Sequence, residues 1–200
     1  MKKNLLAVVA LVGALTIGLV APQAATAYPS GSNLQVSATK DPFRFRSYTR
    51  ISISNAIPNQ NVSISVVGGA TAKFFPRKTN GSGSVSWLFW PYRAGKFTIN
   101  VTSGSESKSV VVYSTSAPKF PKRASIRKSF TVSVKYVTPG TAVSLVMNGS
   151  PVTGIGPEVA DANGNVSFTI PAGTINKGSN WFRLSVGSHY VTGNRVYGTR

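Results

Sequence analysis

The sequence predicts an all-β chain: two tandem antiparallel β-sandwiches behind a cleaved export leader. Three observations carry this expectation. Apolar residues recur at every second position in short runs, the chain repeats itself at an offset of 81 residues, and the N-terminus has the three-part layout of a signal peptide.

The runs come first. Ile51-Ser52-Ile53-Ser54, Val62-Ser63-Ile64-Ser65-Val66 and Phe97-Thr98-Ile99-Asn100-Val101 each alternate apolar and polar residues. Side chains on a strand alternate between its two faces, so each run buries one face and wets the other. Gly, Pro, Asn and Ser break the runs, which is the punctuation of many short strands.

The repeat comes second. At the offset of 81, Arg46 falls on Arg127, Ser52 on Ser133, Pro58 on Pro139, Val62 on Val143, Gly83 on Gly164 and Val85 on Val166. Conservative pairs keep the alternation: Ile51 with Val132, Ile53 with Val134, Ile64 with Leu145. Past Ser86 the second copy is longer. The pattern resumes with Phe97, Ile99 and Val101 against Phe182, Leu184 and Val186, then Val112-Tyr113 against Val196-Tyr197. A period near 80 residues suits a whole small sandwich rather than a propeller blade or solenoid unit.

The leader comes third. Lys2 and Lys3 precede the apolar run Leu5 to Val20, and Ala25-Thr26-Ala27 supplies small residues for cleavage before Tyr28. The run is short for a membrane span of about 20 residues, and no span is expected in the mature chain. The expected division is 1–27 signal peptide, 28–39 N-terminal tail or first strand, 40–114 first sandwich, 115–118 linker and 119–200 second sandwich.

Asp161-Ala162-Asn163-Gly164-Asn165-Val166-Ser167-Phe168, with its looser counterpart Asn80-Gly81-Ser82-Gly83-Ser84-Val85-Ser86-Trp87, resembles the hairpin of bacterial Ig-like domains, where an Asp-x-x-Gly turn leads into an alternating strand. The pattern covers most of 33–200. The resemblance implies two tandem Ig-like antiparallel β-sandwich domains of the kind secreted by Gram-positive bacteria, actinobacteria included. It implies little about function, since such sandwiches serve as stalks, spacers and binding modules.

Composition narrows the chemistry. There is no Cys, so disulfides, thiolate metal sites and Cys nucleophiles are excluded. The single His, His189, cannot supply a multi-His metal site. Glu158 and Asp161 lead into a turn rather than across a cleft, and the Asp161–Asn165 segment lacks the later bidentate Glu of a calcium loop. No catalytic residue, metal or cofactor is expected, and the chain reads as a non-enzyme.

Two features suggest binding. Val85, Trp87 and Phe89 share the parity of Val166, Phe168 and Ile170 and should point inward. Leu88 and Trp90 should then point outward, where the second copy has Thr169 and Pro171. With Tyr92 and Arg93 they form a candidate aromatic site, because exposed rings stack on sugars or anchor interfaces. An equal alternative is that Trp90 covers a sandwich edge or the N-terminal tail. The second feature is basic. Arg44, Arg46 and Arg50, with Lys119, Lys122, Arg123, Arg127 and Lys128, flank the junction of the two copies, and a positive groove there would suit a linear polyanion. Its alternative is dispersed charge that keeps strand edges from pairing.

Twenty-two basic residues against four acidic ones give a formal net charge of +18. Such a field attracts polyanions. The first expectation is therefore a secreted binding or adhesion module, in the medium or on the cell wall. Its partner would be teichoic acid, acidic polysaccharide, extracellular DNA or a cell-surface protein. Alternatives are a self-associating spacer or fibre subunit, and a cationic effector or inhibitor.

Overall fold

Alternating Val, Ile, Phe and Ser dictate strands with one dry face, and the computed structural model is built of these. It describes residues 33–44, 46–68, 73–186 and 189–200. Gly31–Arg200 forms one unit. The expected signal peptide, 1–27, lies outside the described residues. Among those residues no helix is long and apolar enough to cross a membrane.

The first half holds β1 (Gln35–Ala38), β2 (Phe43–Arg44), β3 (Thr49–Ser54), β4 (Asn61–Val67), β5 (Lys73–Lys78), β6 (Val85–Phe89), β7 (Gly95–Ser103) and β8 (Glu106–Thr115). They form a three-stranded sheet, β1-β3-β6, and a five-stranded sheet, β2-β8-β7-β4-β5. The second half holds β9 (Arg123–Ser125), β10 (Phe130–Val134), β11 (Ala142–Met147), β12 (Ser150–Pro151), β13 (Glu158–Val159), β14 (Val166–Ile170), β15 (Gly178–Val186) and β16 (His189–Thr199). Here the sheets are β10-β14 and β12-β11-β15-β16-β9, with β13 also on β11. Each half has its own core: Ile51, Ile53, Ile64, Ile99 and Val112 in the first, Val132, Leu145, Phe168, Phe182 and Leu184 in the second. Burying each such side chain contributes roughly 1.5–3 kcal/mol.

The repeat is visible in the pairing itself. Thr49, Ile51 and Ile53 lie opposite Phe89, Trp87 and Val85. Phe130, Val132 and Val134 lie opposite Ile170, Phe168 and Val166. Every one of these pairs recurs 81 residues on. The short strands β2 and β9 also correspond, each running parallel to the last strand of its half.

One expected equivalence is corrected. The sequence match sets Phe97, Ile99 and Val101 against Phe182, Leu184 and Val186. In the sheets, Ile64 faces Val101 while Leu145 faces Leu184, and Val66 faces Ile99 while Met147 faces Phe182. The offset along this strand is therefore 83, and Phe97 corresponds to Asn180. The sequence match slid by two residues because a shift of two preserves the inward parity and scores apolar against apolar.

Asn180 is buried, with every polar group used. Its Oδ1 accepts from the Asn176 N–H at 3.1 Å, and its Nδ2 donates to the carbonyls of Asn176 at 2.8 Å and Gly178 at 3.1 Å. In the first half Phe97 meets Phe89 edge to face, and Phe89 meets Phe43 likewise. In the second half the aromatic cluster lies one pair further along, with Phe120 and Phe130 on Phe182.

The hairpin turns are built alike. Asn80 Oδ1 accepts from the N–H groups of Ser82 and Ser84 at 3.0 and 2.9 Å, and Asp161 Oδ1 accepts from Asn163 and Asn165 at 2.9 and 2.7 Å. Gly83 and Gly164 follow with φ of 70° and 74°. A Cβ at either would collide with a backbone carbonyl oxygen, that of Ala56 or Val137. The N–H groups of Ala56 and Val137 bond back to the two glycine carbonyls, both at 3.0 Å.

Candidate functional site

The outer face of the three-stranded sheet is where alternation leaves its remainder. Trp87 and Phe89 are buried and Val85 half-buried, while Leu88 is 48% and Trp90 57% exposed. Arg50 lies opposite Leu88 in the β3–β6 register. One step further out, Tyr48 meets Trp90 with ring centroids 5.9 Å apart and planes tilted by 44°. Arg50 Nη1 donates to Ser86 Oγ at 3.1 Å, which holds the guanidinium over the same face. Tyr48, Arg50, Leu88 and Trp90 thus form one apolar patch with a cation on it. Their counterparts at the offset of 81 are Ser129, Thr131, Thr169 and Pro171.

Tyr92 and Arg93 are exposed beyond the end of β6, with Tyr92 at 82%. Tyr48 supplies the patch's second ring, beyond the residues that parity with the second copy singles out. Its signal was available, because Tyr48 precedes β3 with the same parity as Arg50.

The eight basic residues are all exposed, but they occupy different elements. Arg50 belongs to the aromatic patch. Arg44 sits on β2 beside Thr115 of β8, and Arg123 on β9 beside Tyr197 of β16. Lys119 bridges to Ser133 on β10, the other sheet of the second half. Arg127 and Lys128 follow β9 in a turn, Lys122 precedes it, and Arg46 lies in the turn after β2 with φ of 60°. Among the described residues, no carboxylate is paired with Lys119, Lys122, Arg123, Arg127 or Lys128.

Three of the four acids accept from backbone N–H groups. The Asp41 carboxylate accepts from the Tyr113 N–H at 2.7 Å, and burial raises its pKa above the ordinary value. Glu106 accepts from the Leu34 N–H at 3.2 Å, tying the start of the first sheet to β8. Asp161 is engaged by its turn, where the Asn165 N–H and side-chain amide hold its pKa below the usual range. Among the described residues, no group of three or more His, Cys, Asp or Glu gathers as metal ligands would. His189 opens β16, and its side chain lies outside the described residues.

A second cluster was not anticipated. On the outer face of β15 and β16, Arg183 and Arg195 lie over the Trp181 ring at 5.6 and 5.5 Å, and Arg183 also lies over the Tyr190 ring at 4.9 Å. The corresponding residues of the first half are Thr98, Asn100 and Val111.

No protein-family model and no curated protein sequence matches the chain. Among solved structures it is similar to the D0–D1 domain of intimin, at 15% identity over 82% of this chain and 98% of that one, with a TM-score of 0.34. It is similar also to invasin, a bacterial integrin-binding protein, at 14% identity over 83% of this chain and 39% of that one, with a TM-score of 0.37. A C-terminal 282-residue fragment of intimin, in complex with the intimin-binding domain of the translocated intimin receptor, gives 12% identity over 82% and 62%, with a TM-score of 0.41.

Proposed function

We propose that this chain is a non-catalytic binding module of the cell exterior, and that its first sandwich engages an anionic polymer of the envelope or matrix through Tyr48, Arg50, Leu88 and Trp90. One observation supports this above the rest. Two copies of one scaffold place their inward partners at the same register, yet only the first puts two aromatic rings, a leucine and an arginine on this outer face. A core needs nothing from outward positions, so large apolar groups there signal a partner. The excess of basic residues sets the sign of that partner's charge. The reading includes export by the signal peptide at 1–27 and the division into a first domain at 40–114, a linker at 115–118 and a second domain at 119–200.

Retention on isolated cell walls and on immobilised acidic glycan tests it. Trp90→Ala with Leu88→Ser should lower retention about tenfold, the loss expected for one or two anchor residues. Retention of the unaltered protein should fall about threefold between 50 and 200 mM salt, the loss expected for the one charge contact that Arg50 makes. Retention indifferent to both the variant and the salt would reject the proposal.

A further inference from the structure

The outer face of β15 and β16 is built with more care than packing requires. Three separate devices place its side chains. The backbone of Trp181 is clamped by Asn148, whose Oδ1 accepts the Trp181 N–H at 2.8 Å while the Asn148 N–H donates to the Trp181 carbonyl at 2.8 Å. Gly193 lies opposite Arg183. A Cβ there would sit 3.1 Å from Arg183 Cγ and 2.9 Å from the Phe182 carbonyl oxygen. The missing side chain of Gly193 therefore leaves room for the arginine stem beside the neighbouring strand. Finally, the β15–β16 register shifts between Leu184 and Ser185. The shift sends Val191 into the core and sets Tyr190 opposite Ser185, on the face that carries Arg183. Bulges of this kind re-aim side chains.

The result is a row of Arg195, Trp181, Arg183 and Tyr190, in which cations and rings alternate. Tyr197 stands on the same strand face as Arg195, and both tyrosines are exposed. Among the described residues neither guanidinium is paired with a carboxylate: Asp41, Glu106 and Asp161 are engaged elsewhere, and Glu158 forms no ion pair. The row offers N–H donors, positive charge and ring faces. It offers no carboxylate to accept from a sugar hydroxyl. The matching ligand presents acceptors, negative charge and π-faces at short intervals along one strand.

We infer that this face binds single-stranded polynucleotide, with Arg183 and Arg195 on successive phosphates, Tyr190 and Tyr197 as stacking platforms, and Trp181 positioning the two guanidiniums. Alternating basic groups and rings are the usual solution for a flexible polyanion whose bases are unpaired. The assignment rests on the proposed anionic partner only for the sign of charge, because it uses a different face in a different sandwich.

Fluorescence anisotropy of a labelled oligothymidylate of about 20 nucleotides tests it, with a duplex of equal phosphate number and linear polyphosphate as competitors. The single strand should bind about tenfold more tightly than either. Tyr190→Ala should weaken it about tenfold, the loss of one stacked base. Arg183→Gln with Arg195→Gln should flatten the salt dependence by about 1.4 in log–log slope, two phosphate contacts at about 0.7 each. Trp90→Ala should change neither. Polyphosphate competing as well as the oligonucleotide, or unaltered binding by the Arg and Tyr variants, overturns the inference. A thermal melt accompanies each variant. If Tyr190→Ala does not fold, Arg195→Gln alone, at an exposed position, carries the test. Wall retention lost with oligonucleotide binding intact rejects only the proposed function, and the converse rejects only this site.

Discussion

The two sandwiches agree in the register of their inward pairs and differ most on their surfaces. Across β3–β6 and β10–β14 the partners recur pair for pair, and the turn that joins β5 to β6 is rebuilt around Asp161 with a different residue making the same bonds. Yet the first half exposes its rings on the three-stranded sheet, and the second on the face of β15 and β16. The core fixes parity and register, while outward positions are free to diverge. A duplicated scaffold can thus carry two unlike surfaces.

The sharpest break in the likeness is Phe97 against Asn180, and exchanging them tests whether the two cores are separately adapted. Phe97→Asn should destabilise the first sandwich by about 4 kcal/mol, because it removes a buried ring and strands an amide among Phe89 and its neighbours. Asn180→Ala should cost about 2 kcal/mol in the second, since it leaves the Asn176 N–H and two carbonyls without partners. Urea denaturation of each variant measures both. Equal, small effects would mean that the 83-residue correspondence has no energetic meaning.

The smallest effects concern two aspartates of opposite sign. Asp161 has a lowered pKa, so its turn contributes stability above the unfolded carboxylate value, about 3.9, and loses it as pH falls through the lower folded value. Asp161→Asn should remove that acid-side loss, matching the first half, where Asn80 already stands. Asp41 has a raised pKa from burial. Its penalty is absent below about pH 4 and grows as pH rises through the folded value. Asp41→Asn should flatten that decline. Melting temperatures from about pH 3 to 7 separate the two slopes.

Much of this arrangement was legible in the sequence. Strict alternation and the constant offset gave the strands and the outward placement of Leu88 and Trp90, because parity survives substitution. The row on β15 and β16 was not legible. It depends on a register shift at Ser185, on an insertion before β15 that hides the true offset, and on a glycine whose missing side chain leaves room for Arg183. Arginine and tryptophan two residues apart carry no such meaning until a neighbouring strand delivers Arg195 and Tyr190 to them. Nearness in sequence suggests one basic cluster, whereas β9 and the Lys119 bridge send neighbours to different sheets.

Three of the four carboxylates accept from backbone N–H groups, so even the scarce negative charge is tied up in the frame. Two such molecules meeting in solution would find almost nothing on each other to neutralise. Crowding of copies is therefore opposed by their own charge, and the closeness they tolerate should rise with the counter-ions their surroundings supply.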